Sequence, residues 1–522
     1  MWKTDPEGFV QRADTENHDP ESFLCRATGI DLLVCMMDRA QENVIQCLLD
    51  FKKSVLGAPE TDDGERLLIR DAVYRAMGEL LAKVPNYVDT TKWYLEEIKA
   101  MLISANTDTF PQSVMKARAV WLIGVIAQDL RMNLWEEAYQ LTAQCLNSAD
   151  KVVQLNALTS LTAILAQVLD LQPKPDEQID PLLTDFDNQE DDDFDMADED
   201  QMDPSSKDSK DDETLFNDQK RIIGEGAGVV LEKCFQMIEG FDEISSVVRI
   251  LQLVAFHVEL LGSNLKPQLG IICEALPRIW STATAKYSAT DIIWLSRLYT
   301  SLASVVNHLL SRLNKAATED QRVKNVIYPL LNHIFSTKEL VENLDLAGDA
   351  LGLWRTILAS GREAALPLIA HLPSLIRIMS REEHYFLGFS ILEGMLILGF
   401  REEVGIHWDG IVRCLYQAIQ RASPAADQGD DEATVRVGSG TEESRKPTED
   451  AMVGMSLISL VLQLYPAQMH ASLLPVIKLM SETLILTIGG GGPQQEGVPQ
   501  QEGVPPHSSR PGELRSLMGS YS

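Results

Sequence analysis

Apolar positions along this chain recur with the period of an α-helix, and the alternation that marks strands is nearly absent. Between Asn133 and Leu146 they fall at Leu134, Ala138, Leu141 and Cys145. Between Lys151 and Val168 they fall at Leu158, Leu161, Leu165 and Val168. Leu265, Leu269, Ile272, Leu276 and Ile279 repeat the pattern after Gly262, a glycine placed to end the preceding helix. Further pairs are predicted at Asp320–Phe335 with Leu344–Leu358, Ala364–Ile378 with Glu382–Leu398, and Val404–Arg421 with Asp450–Leu464. The pairs recur roughly every 40–45 residues, the period of a HEAT array. In such an array each pair buries its apolar face against its neighbours, so the core grows in one dimension. The fold expected is all-α, a HEAT/armadillo-type superhelix of about nine or ten helix pairs.

Three stretches break the pattern. Between Pro175 and Thr214 stand 18 Asp/Glu against two lysines, a local charge of 2 − 18 = −16, half of the chain's −32. A packed core does not absorb that carboxylate density, so the segment is expected to be solvated. Residues 423–450 are rich in Gly, Ser, Asp and Glu, and residues 489–522 are low in complexity, with Pro493–Val498 repeated at Pro499–Val504. The domain organisation expected is helical repeats over 1–172, an acidic disordered loop over 173–215, repeats over 216–422, a flexible loop over 423–449, a terminal repeat over 450–488 and a disordered tail over 489–522.

The acidic balance argues against a broad nucleic-acid footprint, which needs clustered Lys/Arg, and favours basic protein partners. The seven cysteines are odd in number and include no C-x-x-C pair, as expected of reduced residues inside a cell. The longest apolar stretch read from the sequence, Ala451–Leu462, is too short to span a bilayer, and the protein is expected in the cytosol or nucleus without membrane insertion.

Candidate chemistry is sparse. Gly224-Glu225-Gly226-Ala227-Gly228 imitates a dinucleotide-binding loop, but Val229 stands where its last glycine belongs and no strand precedes it, so a helix with small residues for close packing is expected. The nine histidines form no metal motif; His257 and His333 are expected at the core edge or surface. No nucleophile–base constellation is present, so no enzyme activity, metal or cofactor is expected. Trp121, Trp135, Trp280, Trp294 and Trp354 lie on amphipathic helices, most as core anchors and some as contacts for a partner. The functional candidates are the acids around Phe194 and Met196: Glu190, Asp191, Asp192, Asp193, Asp195, Asp198, Glu199 and Asp200, read as an electrostatic clamp for a basic cargo or as a spacer.

Several segments resemble the importin-β (karyopherin) superfamily, specifically its importin eleven branch. Trp2-x-x-Asp5-Pro6-Glu7-Gly8-Phe9 is similar to a W-x-x-D-P-E-x-F stretch from the middle of such receptors, and Arg118-Ala119-Val120-Trp121-Leu122-Ile123-Gly124 to their R-x-x-W-x-x-G helix. Leu276–Trp280, Leu351–Arg355 and Ile391–Gly399 follow in the right order. Asp150-Lys151-Val152-Val153-Gln154 resembles the D-x-x-V-R entry to a second repeat helix, with Gln154 in place of Arg. The resemblance implies a nuclear transport receptor that binds protein cargo, passes the pore through weak Phe-Gly nucleoporin contacts, releases cargo to Ran-GTP and shuttles between cytoplasm and nucleus as a monomer. It also begins in the middle of the family's pattern. The repeats that carry the principal Ran-GTP contact have no counterpart: either the sequence lacks the first part of a longer chain or it is a shortened relative. A Ran-independent scaffold or adaptor is the alternative reading.

Overall fold

A computed structural model describes residues 2–15, 25–56, 64–81, 87–103, 109–172, 205–286, 292–313, 315–381, 384–421, 447–465 and 467–489. Among them there is no strand. The helices are α1 (Pro6–Thr15), α2 (Cys25–Leu56), α3 (Gly64–Leu81), α4 (Thr90–Trp93), α5 (Lys99–Ile103), α6 (Phe110–Ile126), α7 (Met132–Cys145), α8 (Lys151–Asp170), α9 (Ser205–Ile238), α10 (Ile244–Leu261), α11 (Leu269–Lys286) and α12 (Ile292–Leu313). They continue with α13 (Lys315–Glu319), α14 (Gln321–Ser336), α15 (Lys338–Val341), α16 (Leu344–Ala359), α17 (Arg362–Ala365), α18 (Leu372–Met379), α19 (Tyr385–Ile397), α20 (Arg401–Ile406), α21 (Trp408–Arg421), α22 (Pro447–Leu464) and α23 (Ala467–Gly489).

The long helices stack in two layers. One runs α7, α9, α11, α14, α18, α21, α23; the other runs α6, α8, α10, α12, α16, α19, α22. Each helix packs on its neighbours within the layer and on its pair across it, which is the all-α superhelix expected. Neighbours pack more extensively along the second layer than along the first. A continuous apolar core runs between the layers, from Val10 and Val73 to Val476.

Local chemistry sets the boundaries. Asp150, Asp320 and Asn343 cap α8, α14 and α16 by accepting backbone N–H bonds in their first turns. Gly262 ends α10 with a positive φ of 52°, a conformation that disfavours a side chain. Two expected helices are divided. Ala364–Ile378 becomes α17, a 3-10 turn at Leu366–His371 and α18, because Pro367 and Pro373 each lack the N–H that a continuous helix needs. Val404–Arg421 divides at His407 into α20 and α21. Helix α9 begins at Ser205, so residues 205–215, assigned from the sequence to the acidic loop, lie in a helix.

Among the described residues two segments, α8 and Ile244–Lys286, are long and apolar enough to cross a membrane, contrary to the reading that Ala451–Leu462 is the longest apolar stretch. More than half of the apolar 18-residue stretch in each is buried in the array, as a solenoid core requires. The glycine-rich stretch lies inside α9, but its glycines are not forced by close packing: a Cβ on Gly226 would sit 3.7 Å from Tyr139, an ordinary contact.

Candidate functional site: a groove between α8, α10 and α12

The two motifs quoted for the family turn out to be structural. Trp2 Nε1 donates to Asp150 Oδ2 at 2.8 Å, and the Trp2 ring meets Phe9 and Phe110 at 5.2 and 5.8 Å. Asp5 accepts from the Gly8 N–H at 2.9 Å and so starts α1. Glu7, only 5% exposed, reaches the N-terminal end of α10. It accepts from the Asp242 and Glu243 N–H groups at 3.0 and 2.9 Å and from Ser246 Oγ at 2.8 Å, with Lys151 Nζ at 3.4 Å. The Glu243 side chain makes no cap of its own. Helix α1 thereby ties the starts of α8 and α10 together.

In the second motif, Arg118 forms a paired contact with Asp71 at 2.8 and 3.1 Å and lies over the Trp121 ring at 4.9 Å. Gly124 lets α8 come close: a Cβ there would be 3.1 Å from Ser160 Cα. Ser160 Oγ donates to the Val120 carbonyl at 2.8 Å across the same contact. Gln154, standing where the repeat pattern has Arg, donates to the Leu146 and Ser148 carbonyls at 3.3 and 2.7 Å and closes the turn after α7.

With α1, α8, α10 and α12 fixed, a groove of about 610 Å³ opens between them. Its floor is made of small side chains on α8: Thr159, Thr162, Ala163 and Ala166. The threonine protons are spent on the carbonyls one turn back, Leu155 at 3.1 Å and Leu158 at 2.8 Å. The walls are large: Val248, Arg249 and Phe256 from α10, Trp294 and Arg297 from α12. The mismatch in size creates the depression. Arg249 Nη1 donates to Thr159 Oγ1 at 3.0 Å, and the Arg297 guanidinium lies over the Trp294 ring at 5.0 Å. Among the described residues the lining holds two arginines and no carboxylate.

Of the five tryptophans, Trp135 and Trp354 are fully buried anchors, Trp121 and Trp280 are half-buried, and Trp294 is 38% exposed and faces the groove. His257 is fully buried behind the groove wall, not at the core edge. It lies next to Phe256 on α10 with Nδ1 2.9 Å from the Leu253 carbonyl, and burial lowers its pKa to about 4. His333 is half-buried, 3.0 Å from the Tyr299 hydroxyl. The described cysteines are free: Cys145, Cys234, Cys273 and Cys414 are buried, and burial raises their thiol pKa values. No cluster of metal-binding side chains occurs among the described residues. The sequence-predicted acids Glu190, Asp191, Asp192, Asp193, Asp195, Asp198, Glu199 and Asp200 lie outside the described residues. Of the groove itself, the sequence pointed only to Trp294; the one further signal is the spacing of small residues at 159, 163 and 166 on a helix otherwise rich in leucine.

No model of a protein family matches the chain. Mouse importin-11 is 21% identical over 426 residues, covering 80% of this chain and 36% of that protein. Human importin-11 is 21% identical over 432 residues with the same shares. The chain resembles the importin-β superfamily. This importin-like chain spans about a third of the length of the curated relatives it matches (36%). Among solved structures, the exportin Cse1 in its cargo-free, cytoplasmic state aligns over 94% of this importin-like chain and 48% of Cse1, at 14% identity and a TM-score of 0.45.

Proposed function

We propose that this chain is part of a nuclear transport receptor of the importin-β type and acts as a binding protein rather than an enzyme. The observation that carries the reading is the similarity to importin-11 over four-fifths of the chain (80%). A two-layered array with an open groove suits the role, because small shifts at every pair interface let one partner alter the grip on another. The cargo we infer is a protein with a basic stretch, held by the acidic segment around Glu190–Asp200. By analogy with the superfamily, Phe-Gly nucleoporins carry the complex through the pore between cytoplasm and nucleus, and Ran-GTP releases the cargo.

The test is capture of a basic cargo by the full chain, alone and with Ran-GTP, at several salt concentrations. Capture that weakens as salt rises is the expected result for this chain, and any effect of Ran-GTP on it would need a contact other than the family's principal one. Deleting residues 190–200 is expected to weaken capture and flatten its salt dependence. Failure to capture a basic cargo at any salt concentration would overturn the cargo reading, and release by Ran-GTP would exclude the Ran-independent scaffold. Unchanged capture at low salt after the deletion would remove the acidic segment from the mechanism.

A further inference from the structure

We infer that Tyr74, Trp93 and Glu97 form a cage for the side-chain ammonium of a lysine on a partner protein, and that the chain's own Lys52 fills it in this structure. The inference goes beyond the transport reading and does not rest on it.

The cage is visible through its occupant. Lys52 Nζ, near the C-terminal end of α2, stands 2.8 Å from Glu97 Oε1. The same ammonium lies over the Trp93 ring at 5.0 Å and the Tyr74 ring at 6.0 Å. Aromatic faces gathered around one cation are a means of recognising alkylammonium groups. The walls do not need Lys52 to keep their shape. The two rings are nearly parallel, 9° apart in plane, with centroids separated by 6.2 Å. The Tyr74 hydroxyl and Trp93 Nε1 each donate to Glu97 Oε2 at 3.0 Å. One carboxylate oxygen thus fixes both rings while the other faces the ammonium. Tyr74 and Trp93 are buried, and Glu97 lies on a π-helical turn, Tyr94–Ile98, a widened turn of the kind frequent at functional sites.

The occupant is held less firmly than the cage. Tyr74 and Trp93 belong to the continuous core. The buried apolar side chains described on α2, Met37 and Val44, instead share a small separate core with Leu80. Helix α2 also breaks at Ala40, whose φ of −147° and ψ of 44° are not helical, and it leaves Leu32, Met36 and Phe51 exposed. A helix with few buried contacts opens locally at lower cost than the core beneath it. When α2 lifts, the cage stays formed and takes a lysine from another chain. Because Glu97 Oε1 accepts an N–H, the site selects lysine over trimethyl-lysine, which has no proton to donate, and over acetyl-lysine, which has no charge.

The experiment is fluorescence anisotropy on the full chain with labelled peptides that carry one lysine among glycines and serines, or norleucine, acetyl-lysine or trimethyl-lysine in its place. Lys52→Ala is expected to bind the lysine peptide, and the other three at least tenfold more weakly. Wild type should bind the lysine peptide at least tenfold more weakly than Lys52→Ala, because Lys52 competes. In wild type, excess lysine peptide should speed amide hydrogen exchange at residues 41–56. Adding Glu97→Gln to Lys52→Ala keeps an acceptor oxygen for both rings, removes the charge and should abolish binding; circular dichroism checks that the variants fold. No binding to Lys52→Ala, equal binding by wild type, equal binding of the norleucine peptide, or unchanged exchange at residues 41–56 would overturn the proposal and leave Lys52–Glu97 a structural ion pair only. Displacement of the peptide by n-butylammonium chloride at matching concentration would overturn the protein partner in favour of a free amine. Comparing wild type with Lys52→Ala holds the acidic segment constant and uses no Ran-GTP, so failure here is distinguishable from failure of the transport reading.

Discussion

Glu7 and Ser246 are 239 residues apart in sequence and joined by a 2.8 Å hydrogen bond. The Glu7 carboxylate also takes the backbone donors just ahead of α10, where the helix dipole favours a negative charge. Replacing it with alanine strands buried donors and leaves Lys151 without this partner. Each unmet buried donor costs about 1–3 kcal/mol, so Glu7→Ala is expected to destabilise the region by about 2–4 kcal/mol. Glu7→Gln keeps one acceptor oxygen and should cost less. Because a repeat array need not unfold in one step, amide hydrogen exchange at residues 240–250 is the measurement. Faster exchange there in Glu7→Ala, with the C-terminal helices unchanged, is the expected outcome.

The buried His257 makes stability depend on pH in a defined direction. Its folded pKa is about 4, against an ordinary value of 6.5, because burial disfavours the charged ring. Between those values the unfolded chain takes up a proton and the folded chain does not. The stabilisation is therefore complete above pH 6.5 and declines as pH falls toward 4, by up to about 3 kcal/mol. Urea unfolding at pH 7 and pH 5 should show a lower midpoint at pH 5. In His257→Leu this share of the pH dependence should vanish, whatever the variant's absolute stability.

Two helical glycines should respond oppositely to the same change. Gly124→Ala places a methyl group 3.1 Å from the Ser160 backbone at the contact of α6 and α8, a crowding that costs about 1–3 kcal/mol. That outweighs the gain of roughly 1 kcal/mol in helix propensity. Gly226→Ala in α9 meets Tyr139 only at 3.7 Å and should stabilise by about 0.5–1 kcal/mol. Thermal unfolding of both variants checks the pair; two shifts of the same sign would contradict the packing described.

These contrasts mark how much the sequence disclosed. The sequence located α7, α8, α14, α16 and α19 to within a few residues; α7, α14 and α16 follow because an amphipathic helix announces its buried face locally, whereas α19 is apolar on nearly every face. Pro367 and Pro373 were visible breaks that periodicity alone passed over. The groove was illegible for a different reason. Thr159, Phe256 and Trp294 are far apart in the chain and share a surface only once α8, α10 and α12 stack. Likewise, nothing near His257 distinguishes a helix position that is fully enclosed from one at the edge. The role of Glu7 was hidden by distance, since a cap supplied from another helix leaves no trace beside the capped one.

The tie between α1 and α10 also imposes an order on biogenesis. At a synthesis rate of about 5–20 residues per second, the 235 residues between Glu7 and Asp242 take roughly 10–50 s to emerge from the ribosome. Throughout that interval the first helix has no α10 to hold. Its settling into place waits on a segment made much later, and until then the nascent chain carries an unfinished edge.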